Sequence, residues 1–412
     1  MVALQQNRVQ QLALSKQLLM EFAATLLIRC EKSLDLLESL ILYNVWQYYY
    51  TPENPHSQST AVMQLAISVV YDLGLHKPFR ENEGPGMMPE SSALAADNTK
   101  ELKRSSEERR AYLSTFIISS SLSSCMKKMD GLDHNPYLDY TCQFLFEAAE
   151  YQSDLILVFM ARTQALVASM NRALQYNLVA GSVDIKAPLS MQAKSAKADL
   201  QSYLMALPSN IQEHDLVRRT YHNAEVFFYE PCLHRSSFLS NQNSQRLDML
   251  WACTIAAKSI LDNFLSLPIS LCNSMSIITI AQVGFAISTA FKLSFIEIPG
   301  WDLGQVRETL NFPEFSAQVI SHFVQAGAQI DNCQAVPVKR SFCTGGSLAL
   351  RRIKASYEAK VAAEGAKGQQ EEQTALPGID EIPAGGKIDY FDDTYLMSDW
   401  PWEGIMDEFM QE

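Results

Sequence analysis

Five prolines, Pro188, Pro208, Pro268, Pro299 and Pro313, punctuate a series of stretches whose apolar residues recur at helical spacing, Pro313 as the first residue of the last one. Proline removes a backbone donor and clashes with the preceding turn, so it marks where helices stop. The stretches at 143–179, 190–206, 214–236, 246–266, 275–295 and 313–334 therefore read as helices. Earlier, Val62, Leu65, Ala66, Val69 and Leu73 form one stripe at i, i+3, i+4, i+7 and i+11. Gly74 follows, where a left-handed residue would end that helix. Ser105 with Glu108 matches a capping box ahead of the apolar run 111–126. No alternating run flanked by hairpin turns occurs, and no repeat at a fixed period. The expected fold is all-α: a large irregular helical domain over 1–337, a flexible linker over 338–388, and an acidic, aromatic segment over 389–412.

Charge locates the chain's partners. The net charge is -13, and residues 371–412 hold twelve acids against Lys387 alone, leaving -2 for everything before them. A body so close to neutral does not attract a phosphate backbone. Residues 263–291 carry no charge, but Pro268, Asn273, Gln282 and the serines there favour a buried core helix around 277–291 over a membrane span. The eight cysteines are scattered with no C-x-x-C pair, which is neither a zinc spacing nor a disulfide framework.

The last segment, DYFDDTYLMSDWPWEGIMDEFMQE, interleaves eight acids with large apolar side chains and contains no base. Mutual repulsion keeps such a chain in water and its aromatics available to a partner's groove. This is the composition of acidic activation segments. The expected anchors are Phe391, Tyr395, Trp400, Trp402, Ile405 and Phe409, and the expected partners are transcriptional coactivators. Ile405, Met406, Phe409 and Met410 also make a helical stripe, so docking of this segment back onto the body stays open as an autoinhibited state.

Four stretches carry a family resemblance. Residues 35–50 (DLLESLILYNVWQYYY), 63–77 (MQLAISVVYDLGLHK), 107–125 (EERRAYLSTFIISSSLSSC) and 229–234 (YEPCLH) match in order and spacing. They resemble the middle regulatory region of fungal zinc-cluster transcription factors. The resemblance covers roughly residues 20–335. It implies an all-α body, nuclear location, and regulation of genes transcribed by RNA polymerase II, a secondary-metabolite gene cluster among the candidates. It also implies an N-terminal cluster of six cysteines, and nothing before Cys30 could supply one. Zinc is thus expected only with a missing N-terminal cluster, and DNA contact only through a domain absent from this chain. No other cofactor is expected.

The residues of that motif also have a plain structural reading. Asp72, Gly74 and His76 close one helix, while Glu108, Arg109 and Arg110 open the next. Arginines in a first turn oppose the helix dipole, so pairing with Glu107, Glu108 or Asp72 is expected. Trp46 and Tyr48 to Tyr50 are expected in the core, with the lining of an effector pocket between helices as the other reading. Two further readings stand beside the regulator. A modulatory partner would form homo- or heterodimers with DNA-bound relatives, or titrate them. An all-α metal-dependent isoprenoid enzyme would need Asp392, Asp393 and Asp399 on a rigid wall, which a mobile tail does not offer. No phosphate loop, nucleophile elbow or metalloprotease helix occurs, and His214 and His222 stand two turns apart, too far for ligands on one helix. The chain is therefore not expected to be an enzyme, nor to enter a membrane.

Overall fold

A computed structural model describes residues 8–49, 55–78, 104–126, 129–180, 189–233, 243–331 and 342–374. Among the described residues every regular element is helical and no strand forms, as the proline spacing predicts. The helices are α1 (Arg8–Ala23), α2 (Leu34–Trp46), α3 (Pro55–Asp72), α4 (Ser106–Met126), α5 (Pro136–Ala148), α6 (Gln152–Ala180) and α7 (Leu189–Met205). They continue with α8 (Ser209–Gln212), α9 (Asp215–Tyr229), α10 (Asn243–Leu265), α11 (Ile277–Leu293), α12 (Leu303–Leu310), α13 (Phe312–Asp331) and α14 (Phe342–Thr374).

Short polar side chains start many of these helices by accepting a free backbone N–H. Ser33 Oγ accepts from Leu36 N at 3.2 Å, Asn135 Oδ1 from Leu138 N at 3.0 Å, and Asp302 Oδ1 from Gln305 N at 3.0 Å. His214 caps α9 through Nδ1, 3.2 Å from Leu216 N, which spends that histidine on structure. Asn311 ends α12 in the left-handed conformation at φ +41°, which its short polar side chain tolerates.

The core is continuous. The uncharged helix expected around 277–291 is α11, buried on nearly every side, with α2, α4, α9 and α10 packed around it. One helical stretch, residues 152–172 of α6, is long and apolar enough to cross a membrane by length and composition, and half of it is buried in the body. On α4, Ser120, Ser121 and Ser124 meet Gln164 of α6 at 3.2–3.3 Å, and Asn171 reaches Ser124 at 3.2 Å. This buried polar seam fixes how α4 and α6 register. The turn at Gly131 presses onto α4 so closely that a Cβ there would lie 2.9 Å from the Ser120 backbone. Trp46 is half-buried and donates to Ser274 O at 3.1 Å, whereas Tyr49 is buried with its hydroxyl 3.3 Å from Cys272 O. The Tyr48 side chain and Tyr50 lie outside what is described.

The flexible linker expected over 338–388, with at most a short helix over 351–360, instead contains α14, a long helix packed on α13. Phe342, Leu350, Ile353 and Tyr357 are buried along one face, and Tyr357 stacks on Phe312 with ring centroids 4.8 Å apart. Gly345, Gly346, Gly365 and Gly368, with the polar run 369–373, masked that stripe in the sequence. The helical body therefore extends past residue 337. Residues 375–412, with the acidic segment and all six of its anchors, lie outside the described residues.

Candidate functional site

Gly74 at the end of α3 and Glu108 at the start of α4 meet in one joint through Arg104. Leu75 N reaches back to Val70 O, and Gly74 N to Tyr71 O, both at 3.0 Å. This pair of bonds closes α3 with Gly74 at φ +63°, a conformation that costs a side-chain-bearing residue about 1–2 kcal/mol. The carbonyls left over are taken by Arg104, which is nearly buried. Its Nε donates to Lys77 O at 3.1 Å and its Nη2 to Gly74 O and Leu73 O. Asn135 Nδ2 takes His76 O at 3.2 Å while its Oδ1 caps α5.

The start of α4 is built as the capping box requires. Ser105 Oγ accepts from Glu108 N at 3.1 Å, and Glu108 Oε2 accepts from Ser105 N at 2.8 Å. Glu108 Oε1 also pairs with Arg104 Nη1 at 3.1 Å. Glu108 therefore ties the opening of α4 to the residue that seals α3.

The two arginines do not pair as expected. Glu108 is taken by Arg104, and Asp72 by Lys32 at 2.6 Å. Arg110 instead reaches the first turn of α6. Its Nε lies 2.8 Å from Asp154 Oδ1 and its Nη2 3.0 Å from Asp154 Oδ2, a two-point grip, with Glu150 alongside. Burial alone would raise the Asp154 pKa, but Arg110 and the Tyr151 N–H hold it below the ordinary aspartate value. Arg109 makes no ion pair among the described residues. It is 3 % exposed, with its guanidinium 4.0 Å from the Phe144 ring centroid and 5.3 Å from that of Tyr140.

His76 sits against Tyr71 with ring centroids 4.7 Å apart. Burial and then the neighbouring cations Lys77 and Arg104 depress its pKa, so it stays neutral where a free histidine has begun to charge. Local patterns do not reveal the clamp of Arg104 or the grip of Asp154, whose partners lie 27 to 44 positions away, nor the bond of Asn135 to His76 O, 59 positions away.

The segment at 229–234 is held the same way. Its described part ends α9 and turns through Glu230–Leu233, and Arg246 of α10 donates to Cys232 O at 2.8 Å and Leu233 O at 3.3 Å. Nearby, Arg219 is buried among neutral partners, Gln282 at 3.2 Å, Asn263 at 3.0 Å and Thr279 at 3.3 Å. Burial brings its pKa down to about 10.

This chemistry builds joints. Burial pushes the thiols of Cys142 to about 12 and Cys272 to about 11, so both stay protonated and poorly nucleophilic. Among the described residues no group of three His, Cys, Asp or Glu side chains could hold a metal. His222 is engaged by Glu225 at 2.8 Å.

The described chain is thus a helical body whose quoted motifs serve as fasteners. It is similar to fungal transcription factors. It is 27% identical over 314 residues to transcription factor opdL of Penicillium oxalicum, across 74% of this chain and 54% of that protein. It is 26% identical over 271 residues to transcription factor himD of Aspergillus japonicus, across 64% of this chain and 43% of that protein. A third relative, named only as a transcription factor, from Aspergillus terreus, is 23% identical over 219 residues, 48% of this chain and 36% of its own length. The chain spans about half the length, or less, of these curated relatives. No family model matches it. No solved structure matches it.

Proposed function

We propose that this chain is the helical regulatory body of a fungal transcription regulator, acting in the nucleus on genes transcribed by RNA polymerase II. The observation that carries the reading is its similarity, over 74% of its length, to a protein named as a transcription factor. The interlocked motifs support it, because they are the very segments that resemble the middle region of zinc-cluster regulators. In this reading residues 386–412 recruit coactivators, and DNA is reached through a domain outside these 412 residues. A secondary-metabolite gene cluster is the proposed target class, on the family resemblance alone.

Two measurements test it. Residues 386–412 fused to an unrelated DNA-binding domain are expected to activate a reporter. Burying an aromatic side chain is worth roughly 1.5–3 kcal/mol, so Trp400→Ala, Trp402→Ala and Phe409→Ala together are expected to silence it. Asp392→Asn with Asp393→Asn is expected to cost far less, since carboxylates steer the encounter more than they hold it. A silent fusion, or equal loss from both sets, defeats the anchor reading. Purified 1–412 is expected to shift no DNA at low salt, because its body is near neutral. Sequence-specific retardation by this chain alone would remove the need for a separate DNA-binding domain.

A further inference from the structure

The α4–α5 contact holds an anomaly in its polar groups. Arg109 is 3 % exposed, and its Nε and Nη1 are buried without a hydrogen-bond partner. Thr141 Oγ1, also buried, lacks a partner too. Arg109 and Tyr112 lie one turn apart on α4. Tyr137, Thr141 and Phe144 lie at i, i+4 and i+7 on α5. The two stripes face each other: Tyr112 stands 6.2 Å from Tyr137, and Arg109 lies over Phe144 and Tyr140.

Both unpartnered groups can donate hydrogen bonds, and Glu108, Glu150, Asp154 and Asp139 are engaged elsewhere. Glu108 serves Arg104 and Ser105, Glu150 and Asp154 serve Arg110, and Asp139 accepts from His134 at 3.0 Å. A buried guanidinium without a carboxylate is strongly unfavourable by itself, and ring contacts offset only part of that. We propose that this contact is a binding site for a small organic monoanion, whose carboxylate is gripped by the Arg109 guanidinium between Tyr140 and Phe144. A monoanion fits because Arg109 is the one uncommitted cation on these stripes, and a buried dianion would keep an unbalanced charge. A planar carboxylate matches the guanidinium fork. Entry is through Tyr140, which is half-exposed while its ring shields Arg109.

Benzoate is the probe, titrated into the full 412-residue chain against sodium chloride of equal ionic strength. The Arg109 Nε–H resonance, assigned by its loss in Arg109→Lys, is expected to move saturably with benzoate and not with chloride. Thermal denaturation is expected to rise over the same range. Arg109→Met, which keeps the stem and removes the charge, is expected to weaken benzoate binding about 10- to 100-fold, the loss of a charge-assisted hydrogen bond. Without benzoate it is expected to melt at or above the parent. Thr141→Val is expected to weaken binding less. No saturable shift in the parent chain overturns the proposal. So does a benzoate response that Arg109→Met retains, or a large drop in melting temperature of Arg109→Met without benzoate, which would make the cation a packing pillar.

Discussion

Glu225 shows how a single buried carboxylate sets the acid limit of this fold. It is 7 % exposed on α9, with Lys197 Nζ at 2.9 Å and His222 Nδ1 at 2.8 Å. Burial alone would raise its pKa, but His222 and Lys197 hold it below the ordinary glutamate value. A depressed folded-state pKa contributes stability above the unfolded-state value, and that contribution is lost as pH falls through the folded one. Urea denaturation is therefore expected to show stability falling from about pH 5 downward. Glu225→Gln is expected to flatten that limb and to cost about 1–2 kcal/mol at neutral pH, a modest figure because Lys197 is half in water. An unchanged acid slope would show that the carboxylate titrates alike in both states. The residues legible from sequence were those whose partners are near in the chain. Gly74 acts on Tyr71, and Ser105 acts on Glu108. Arg110 was visible as a charge needing a partner, yet its partner Asp154 is 44 positions away, and no local pattern points to it.

Helix α14 belongs to the body even though its composition suggests otherwise. Phe342, Leu350, Ile353 and Tyr357 follow a helical stripe, but glycines and a Gln/Glu run dilute it. What orders this helix is distant: Tyr357 joins Phe291 of α11 and Phe312 of α13 in one aromatic cluster, at 5.7 and 4.8 Å. Glu364 pairs with Arg307 of α12 as well. The stripe was present in the sequence; the hydrophobic wall that receives it was not. A chain ending at residue 374 is expected to melt like the full protein. A chain ending at residue 341 uncovers that wall and loses, among others, the four large buried side chains named above, worth roughly 1.5–3 kcal/mol each. Circular dichroism is expected to show it melting far lower or aggregating. Equal melting of the two truncations would make α14 an appendage.

Across the molecule, the fold class was readable because proline spacing and helical periodicity are properties of the whole chain. The joints were not, since each brings together residues remote in sequence. The clamp of Arg104 on Leu73, Gly74 and Lys77 has a consequence for how this chain can be extended. Its bonds, all made by residue 104 itself, bring the two ends of the connection between Lys77 and Arg104 together. Lengthening a connection whose ends are already fixed costs only about 0.6 kcal/mol per doubling. A whole foreign domain with adjacent termini, inserted near residue 90, is expected to leave the melting temperature of the body nearly unchanged. In an Arg104→Ala background the same insertion is expected to be poorly tolerated. The joint would then be a natural splice point, where a protein of this build could acquire a new module without renegotiating its core.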